Sequence, residues 1–393
     1  MTLERVVVVG AGLAGHRVVQ AIRGAGFAGE LVLVGDETHR PYDRPPLSKQ
    51  LLAGTWTQDQ CMLSGDDVDV TWRLGVAARG IDRESSVVVL ADGERLSYDR
   101  LIIATGRRAR PWPGRLPDSG VHTLRSFEDV RAFEQSLTAE ARVVIIGAGF
   151  IGCEVAATLR ARDVDVTIVD VSKHPMPVLG AEAGERAVTL HESHGVRFRL
   201  GTGVHGIEGD GAVSAVVLED GERLPADVVL VAIGSEPNTE WLDGSGIALD
   251  RGTVVCDVTG TVLDESGAPV ADVLAAGDVA AWPHPHANGA VCIEHWSNAR
   301  DMGDTVAANV LLDAADRRPI RSVPAFWSDQ YDVKIKSAGL LRAADALTLV
   351  SEDVDKPSLL IEAHRDGSVV GAIAFNMNRA MIGYQRDLTA AGG

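Results

Sequence analysis

Runs of β-branched residues, each followed by a segment whose apolar positions recur every three or four residues, organise most of this chain. Residues 6–9 and 31–34 are apolar at every position, as expected of strands buried on both faces of a parallel sheet, and residues 13–22 between them carry helical spacing. The same order returns at 143–146, 151–159 and 166–169, so a strand–helix–strand unit is written twice. Further strands are predicted at 87–90, 101–104, 228–233 and 273–275. Residues 107–114, rich in proline and charge, and residues 234–238 read as crossover loops bounding the second unit. From about Arg321 the pattern changes to short alternating strands at 347–350, 358–362 and 368–375, which predicts a small α+β domain.

The two units open on near-copies of one motif, VVVVGAGLAG from Val6 and VVIIGAGFIG from Val143. In Gly10-Ala-Gly12-Leu-Ala-Gly15 the first glycine permits a tight turn and the second lets backbone approach a pyrophosphate. The third lets the helix lie close on the strand, and the helix N-terminus presents free N–H groups to phosphate. Asp36 follows the second strand where a carboxylate would accept bonds from ribose hydroxyls. The twin, Gly147-Ala-Gly149-Phe-Ile-Gly152, ends its following strand at Asp170, and an acid there favours NADH because it would repel the 2′-phosphate of NADPH. Lys173 and His174 close behind weaken that preference. The predicted fold class is α/β, with two Rossmann-like dinucleotide-binding domains and a C-terminal α+β domain. The expected division is residues 1–108 with 238–320, an inserted domain of 109–237, and 321–393.

At 393 residues several hydrophobic cores are expected. Charge excludes some functions: 37 Lys and Arg against 55 Asp and Glu leave −18, a field that repels nucleic acid and anionic lipid. No apolar run approaches the roughly 20 residues of a membrane helix, and the chain enters a strand directly, so a cytoplasmic monomer or weak homodimer is expected. Cys61, Cys153, Cys256 and Cys292 stand singly, without C-x-x-C or a metal-ligand spacing, which implies neither a disulfide redox centre nor a metal.

Five further segments stand in order: Arg40-Pro-Tyr-Asp-Arg-Pro-Pro-Leu-Ser-Lys49, Tyr98-Asp-Arg-Leu-Ile-Ile-Ala-Thr-Gly106, Val273-Leu-Ala-Ala-Gly-Asp278, Glu294-His-Trp-Ser-Asn-Ala299 and Phe326-Trp-Ser-Asp-Gln-Tyr331. Together they resemble, over essentially the whole chain, the family of FAD-dependent ferredoxin, rubredoxin and putidaredoxin reductases that serve oxygenases. The resemblance implies a glutathione-reductase-like plan in which residues 1–108 and 238–320 bind FAD and 109–237 bind NADH. It implies that Arg44 meets the FAD phosphates or adenine side, that Lys49 sits near the hydride-accepting nitrogen, and that Glu154 pairs with Lys49. Thr105 and Gly106 would turn past the pyrophosphate, Asp278 would bind the ribitol hydroxyls, and Trp296 and Trp327 would flank the isoalloxazine. The same motifs bring Leu13, Ala14, Glu37 and Ala104 into the expected FAD contacts. Phe150, Ile151 and Gly234 join the NADH side, and Gly277, Glu294 and His295 the flavin side.

The cysteines then discriminate within the resemblance. Disulfide reductases of this plan carry a cysteine pair beside the flavin, and NADH oxidases and peroxidases a single cysteine after the first unit, whereas residues 38–50 contain none. Electrons would leave from the flavin itself, singly, to a two-iron two-sulfur ferredoxin serving a cytochrome monooxygenase or Rieske dioxygenase. Arg107, Arg108, Arg110, Lys334, Lys336 and Arg342 could form a basic rim for that acidic partner. Alternatives are an NADH oxidase, a quinone or nitrite-reductase-type flavoprotein, and a redox sensor resembling apoptosis-inducing factor. Residues 257–270 depart from the family and read as a surface loop or hairpin.

Overall fold

The computed structural model describes residues 3–65, 68–138, 140–353 and 356–391. The first unit is built on a six-stranded sheet in the order Thr261–Leu263, Pro269–Ala275, Arg100–Ile103, Arg5–Val9, Glu30–Gly35, Thr71–Leu74. All neighbours are parallel except the first pair. Val6, Val7 and Val8 have no exposed surface, because helix Leu13–Gly24 covers the sheet and the helix Trp296–Val310 packs on that helix. A Cβ on Gly15 would stand 1.9 Å from the carbonyl oxygen of Gly10, so only glycine lets the helix begin so close to the turn.

The second unit repeats the plan as a five-stranded, all-parallel sheet in the order Arg197–Leu200, Asp165–Asp170, Arg142–Ile146, Val228–Val231, Val121–His122. Its helix Phe150–Arg160 is buried along most of its length, since it lies between its own sheet and the C-terminal sheet. That third sheet is antiparallel, ordered Ala325–Gln330, Val333–Gly339, Ser368–Phe375, Ser358–Arg365, Ala346–Asp353, with helix Asn378–Ala390 on one face. Its other face joins Val333, Ile335, Ile373 and Phe375 to Cys153, Met176 and Leu179 of the second unit in one apolar cluster. No helix among the described residues is long and apolar enough to cross a membrane.

Two expectations need correction, and one open choice is decided. The crossovers at 107–114 and 234–238 are not loops throughout: Arg107–Ala109 pairs antiparallel with Ser235–Pro237. Two passages running opposite ways through one gap satisfy their backbone groups on each other, which three-residue strands containing proline and charge do not announce in sequence. Of the two readings of residues 257–270, loop or hairpin, the structure has the hairpin. These residues contain the hairpin strand Thr261–Leu263 that closes the first sheet's edge, with Val262 and Val270 buried. The C-terminal domain also begins with two strands, Ala325–Gln330 and Val333–Gly339, that the alternation count omitted.

Candidate active site

Where the two units meet, a cavity of about 1100 Å³ is lined by both glycine motifs. From the first unit come Gly10, Gly12, Leu13 and Ala14, then Asp36, Glu37 and Arg44, and the strand end Ala104, Thr105, Gly106. From the second come Gly149, Phe150 and Ile151, with Gly234. Asp278, Glu294, His295, Trp296 and Trp327 complete the wall. Gly15, Gly147, Gly152, Asp170 and Gly277 are not in the lining. Gly15 and Gly152 instead permit close packing onto the turns, where a Cβ would lie 1.9 and 2.1 Å from the carbonyls of Gly10 and Gly147. Asp170 is turned to its own loop, one oxygen accepting from the N–H of Ala148 and the other from that of Ser172, both at 2.6 Å.

Deep in the wall stand two charges. The 3-10 turn Pro45–Ser48, opened by two prolines, delivers Lys49, and the second turn of helix Phe150–Arg160 delivers Glu154. Lys49 Nζ lies 2.7 Å from Glu154 Oε2, with side-chain exposures of 10% and 7%. Ions this far from water require one another. The carboxylate also accepts from Ser48 Oγ on the same oxygen, and from Ser328 Oγ at 2.7 Å on the other. Replacing Glu154 alone by leucine strands the ammonium, and a loss of about 3 kcal/mol in unfolding free energy is expected. Adding Lys49→Met should restore most of it, as read by urea denaturation.

Arg44, expected at the FAD phosphates or adenine side, lines the cavity and is held by Glu37 at 2.6 Å, the Tyr42 hydroxyl at 2.9 Å and the carbonyl of Arg125 at 2.6 Å. Sequence reading missed Arg125. Its guanidinium lies 3.6 Å from Asp278 at the cavity wall, and only the capping box of the following helix marks the stretch. Burial raises the Asp278 carboxyl above its usual range, with Arg125, Arg107 and Arg44 opposing. Asp43, inside the Arg40–Lys49 motif, was also missed: it accepts from Trp296 Nε1 at 2.8 Å. Trp296 thus held meets Trp327 edge to face, 5.8 Å between centroids, and Trp327 is 38% exposed. The pair runs from the cavity to the surface.

These residues fit adenine dinucleotides. A Cβ on Gly12 or on Gly149 would meet no atom within 4 Å, so both turns face open space at the helix N-termini. His295, whose burial pushes its imidazole down to about 4 and keeps it neutral, has an Nδ1 with no protein partner. Thiols are out of play: burial raises Cys61, Cys153 and Cys256, and Cys292, alone at the cavity wall, is pushed up to about 12 by burial, Glu294 and Asp278.

Comparison with known proteins decides the family. Residues 4–303 match the pyridine nucleotide-disulphide oxidoreductases and residues 325–392 the reductase C-terminal family. Rhodocoxin reductase of Rhodococcus erythropolis is 39% identical over 349 residues, 86% of this chain and 79% of that protein. The ferredoxin–NAD(+) reductase component of the biphenyl dioxygenase system of Paraburkholderia xenovorans is 36% identical over 384 residues, 96% and 91% of the two chains. Putidaredoxin reductase, solved in covalent complex with putidaredoxin, superposes with a TM-score of 0.90 at 32% identity, covering 98% of this chain and 93% of that one. The chain belongs to the FAD-dependent ferredoxin reductases. FAD and NADH are the cofactors of this reductase. A persulfide reductase at 23% identity, TM-score 0.85, shares the fold alone.

Proposed function

We propose that this reductase takes a hydride from NADH and passes electrons one at a time to a two-iron two-sulfur ferredoxin serving a cytochrome monooxygenase or Rieske dioxygenase. The observation that carries this is the meeting of both glycine motifs in one cavity with no thiol pair between them. Bound there, FAD accepts electrons as a pair and releases them singly, as a one-electron metal centre requires.

The roles assigned to the chain follow from placement. Gly10 and Gly12 admit the FAD pyrophosphate to the first helix N-terminus, and Gly149 admits that of NADH to the second. Asp36 and Glu37 face the adenosine ribose. Asp278 holds the ribitol hydroxyls, with Arg125 offsetting its charge. Lys49, kept in place by Glu154, sets a cation beside the hydride-accepting position, where electron density rises. Trp296 and Trp327 exclude water there and shorten the way out. Residues 1–108 with 238–320 then form the FAD domain, 109–237 the NADH domain and 321–393 the domain that caps the flavin. Asp170 at the end of its strand supports NADH because its carboxylate would repel a 2′-phosphate, against the nearby Lys173.

The basic rim is smaller than six residues. Arg107 pairs with Glu294 and Arg108 with Glu236 and Glu240, leaving Arg110, Lys334, Lys336 and Arg342 without an ion pair among the described residues. A net charge of −18 over the whole chain favours a monomer, which sedimentation would check.

The deciding experiment is anaerobic: NADH should bleach the yellow protein, and added two-iron ferredoxin should restore the colour in single-electron steps. Rapid reoxidation by oxygen or quinone with none by ferredoxin would end this reading. In addition, a variant with all four cysteines replaced by alanine should keep kcat for ferredoxin reduction within about twofold, since no sulfur carries electrons. A loss of about a hundredfold in a folded variant would put a thiol back in the path.

A further inference from the structure

The Lys49–Glu154 pair continues into the protein. Beyond Glu154 Oε1, Ser328 Oγ accepts from Gln330 Nε2 at 3.0 Å, Gln330 Oε1 meets His191 Nε2 at 2.9 Å, and His191 Nδ1 meets the Tyr331 hydroxyl at 3.2 Å. Ser328, Gln330 and His191 have no exposed surface. The chain crosses the apolar joint between the second unit and the C-terminal sheet, where Met176 Sδ takes the remaining amide hydrogen of Gln330 at 3.4 Å.

One charge sets the sense of every bond. A carboxylate only accepts, so Ser328 donates to it and must accept from its other neighbour. That turns the Gln330 amide so that its NH2 faces Ser328 and its carbonyl faces His191. The imidazole therefore carries its proton on Nε2 and offers Nδ1 to the Tyr331 hydroxyl. Burial, which holds His191 down at about 4 and hence neutral, is what lets one ring nitrogen donate while the other accepts. Tyr331 lies at the turn after the strand Ala325–Gln330, in the left-handed conformation at φ 56°, with His194 stacked on its ring at 3.7 Å. Apolar residues of similar shape would fill such a joint at little cost in stability. Four aligned donors ending on one carboxylate are a directed structure, and each polarises the next.

We propose that Ser328, Gln330 and His191 are positioning residues for hydride acceptance, which fix Glu154 from behind and through it hold Lys49 at the cavity wall. The inference rests on the reading that the Lys49–Glu154 pair borders the flavin. It assigns the C-terminal domain a second task besides capping: the strand that presents Trp327 outward presents Ser328 and Gln330 inward, by the alternation of a strand.

The test is a double-mutant cycle on the FAD-loaded protein with Gln330→Leu, Glu154→Gln and the combination. Reduction by NADH is followed anaerobically in single turnover, and the midpoint potential of bound FAD is measured beside it. Gln330→Leu should lower the limiting rate about tenfold with the NADH dissociation constant unchanged within about twofold. A loosened ammonium should also weaken the preference for reduced over oxidised flavin about tenfold, which is about 30 mV lower for a two-electron couple. On the Glu154→Gln background, Gln330→Leu should change either quantity by less than about twofold. Equal losses with and without Glu154, or an unchanged rate and potential in Gln330→Leu, would overturn the inference. If Glu154→Gln itself left rate and potential unaltered, the reading of the ion pair would fail first, a different result. Ser328→Ala removes one hydroxyl, carries the same expectations, and decides the matter should Gln330→Leu not fold.

Discussion

Gly12→Val should fold and purify colourless. Gly12 precedes the first helix at φ −86° and ψ −166°, a conformation open to any residue, and an added Cβ touches nothing within 4 Å. The protein itself therefore loses little. The isopropyl group projects into the cavity at the helix N-terminus, where the pyrophosphate of FAD must approach backbone N–H groups. Displacing it should weaken FAD at least about a hundredfold, or about 2.8 kcal/mol at 1.4 kcal/mol per tenfold. The measurements are the flavin-to-protein absorbance ratio and the thermal midpoint of the flavin-free protein, which should match that of wild type stripped of FAD. Full flavin content in Gly12→Val would remove the first motif from the FAD site. Gly15→Val is the contrast: its Cβ would lie 1.9 Å from the Gly10 carbonyl, so the helix itself must move, and the variant should fail to fold rather than merely lose its colour.

Gly149→Val separates the two coenzymes. Its backbone, at φ −72° and ψ −173°, is equally permissive, and its Cβ likewise meets open space. The variant should be yellow and bleach with dithionite, but require about a hundredfold more NADH for half-maximal reduction. Since Gly12 and Gly149 occupy the same place in twin motifs, each acts as the other's control for folding and handling. Loss of FAD in both, or undiminished NADH reduction in Gly149→Val, would undo the assignment of one motif to each coenzyme.

Much of this was legible in the chain because it is local. A strand buried on both faces must be apolar throughout, a phosphate-binding turn needs glycines at set intervals, and both constraints are written within about twelve residues. Hence the repeat at Val6 and Val143 announced two dinucleotide units, and the lone cysteines announced that no cysteine pair follows the first of them. Ser328 and Gln330 were within reach too: they lie in a quoted motif at period two, the spacing that places both on one face of a strand.

Other features arise only when distant segments meet. No local pattern says that Glu154 finds Lys49 across 105 residues and Ser328 across 174, that His191 turns toward Gln330, or that Arg125 stands against Asp278. Each is a polar or charged group whose burial is tolerable only with a partner, and that partner comes from another domain. By itself the sequence determined the two nucleotide-binding units and the lack of a cysteine pair, because these depend on backbone conformation and residue type over short spans. The tertiary structure alone decided which charges are paired, how the crossings form a ribbon, and which way the buried hydrogen bonds run, because burial and partnership are properties of the packed chain.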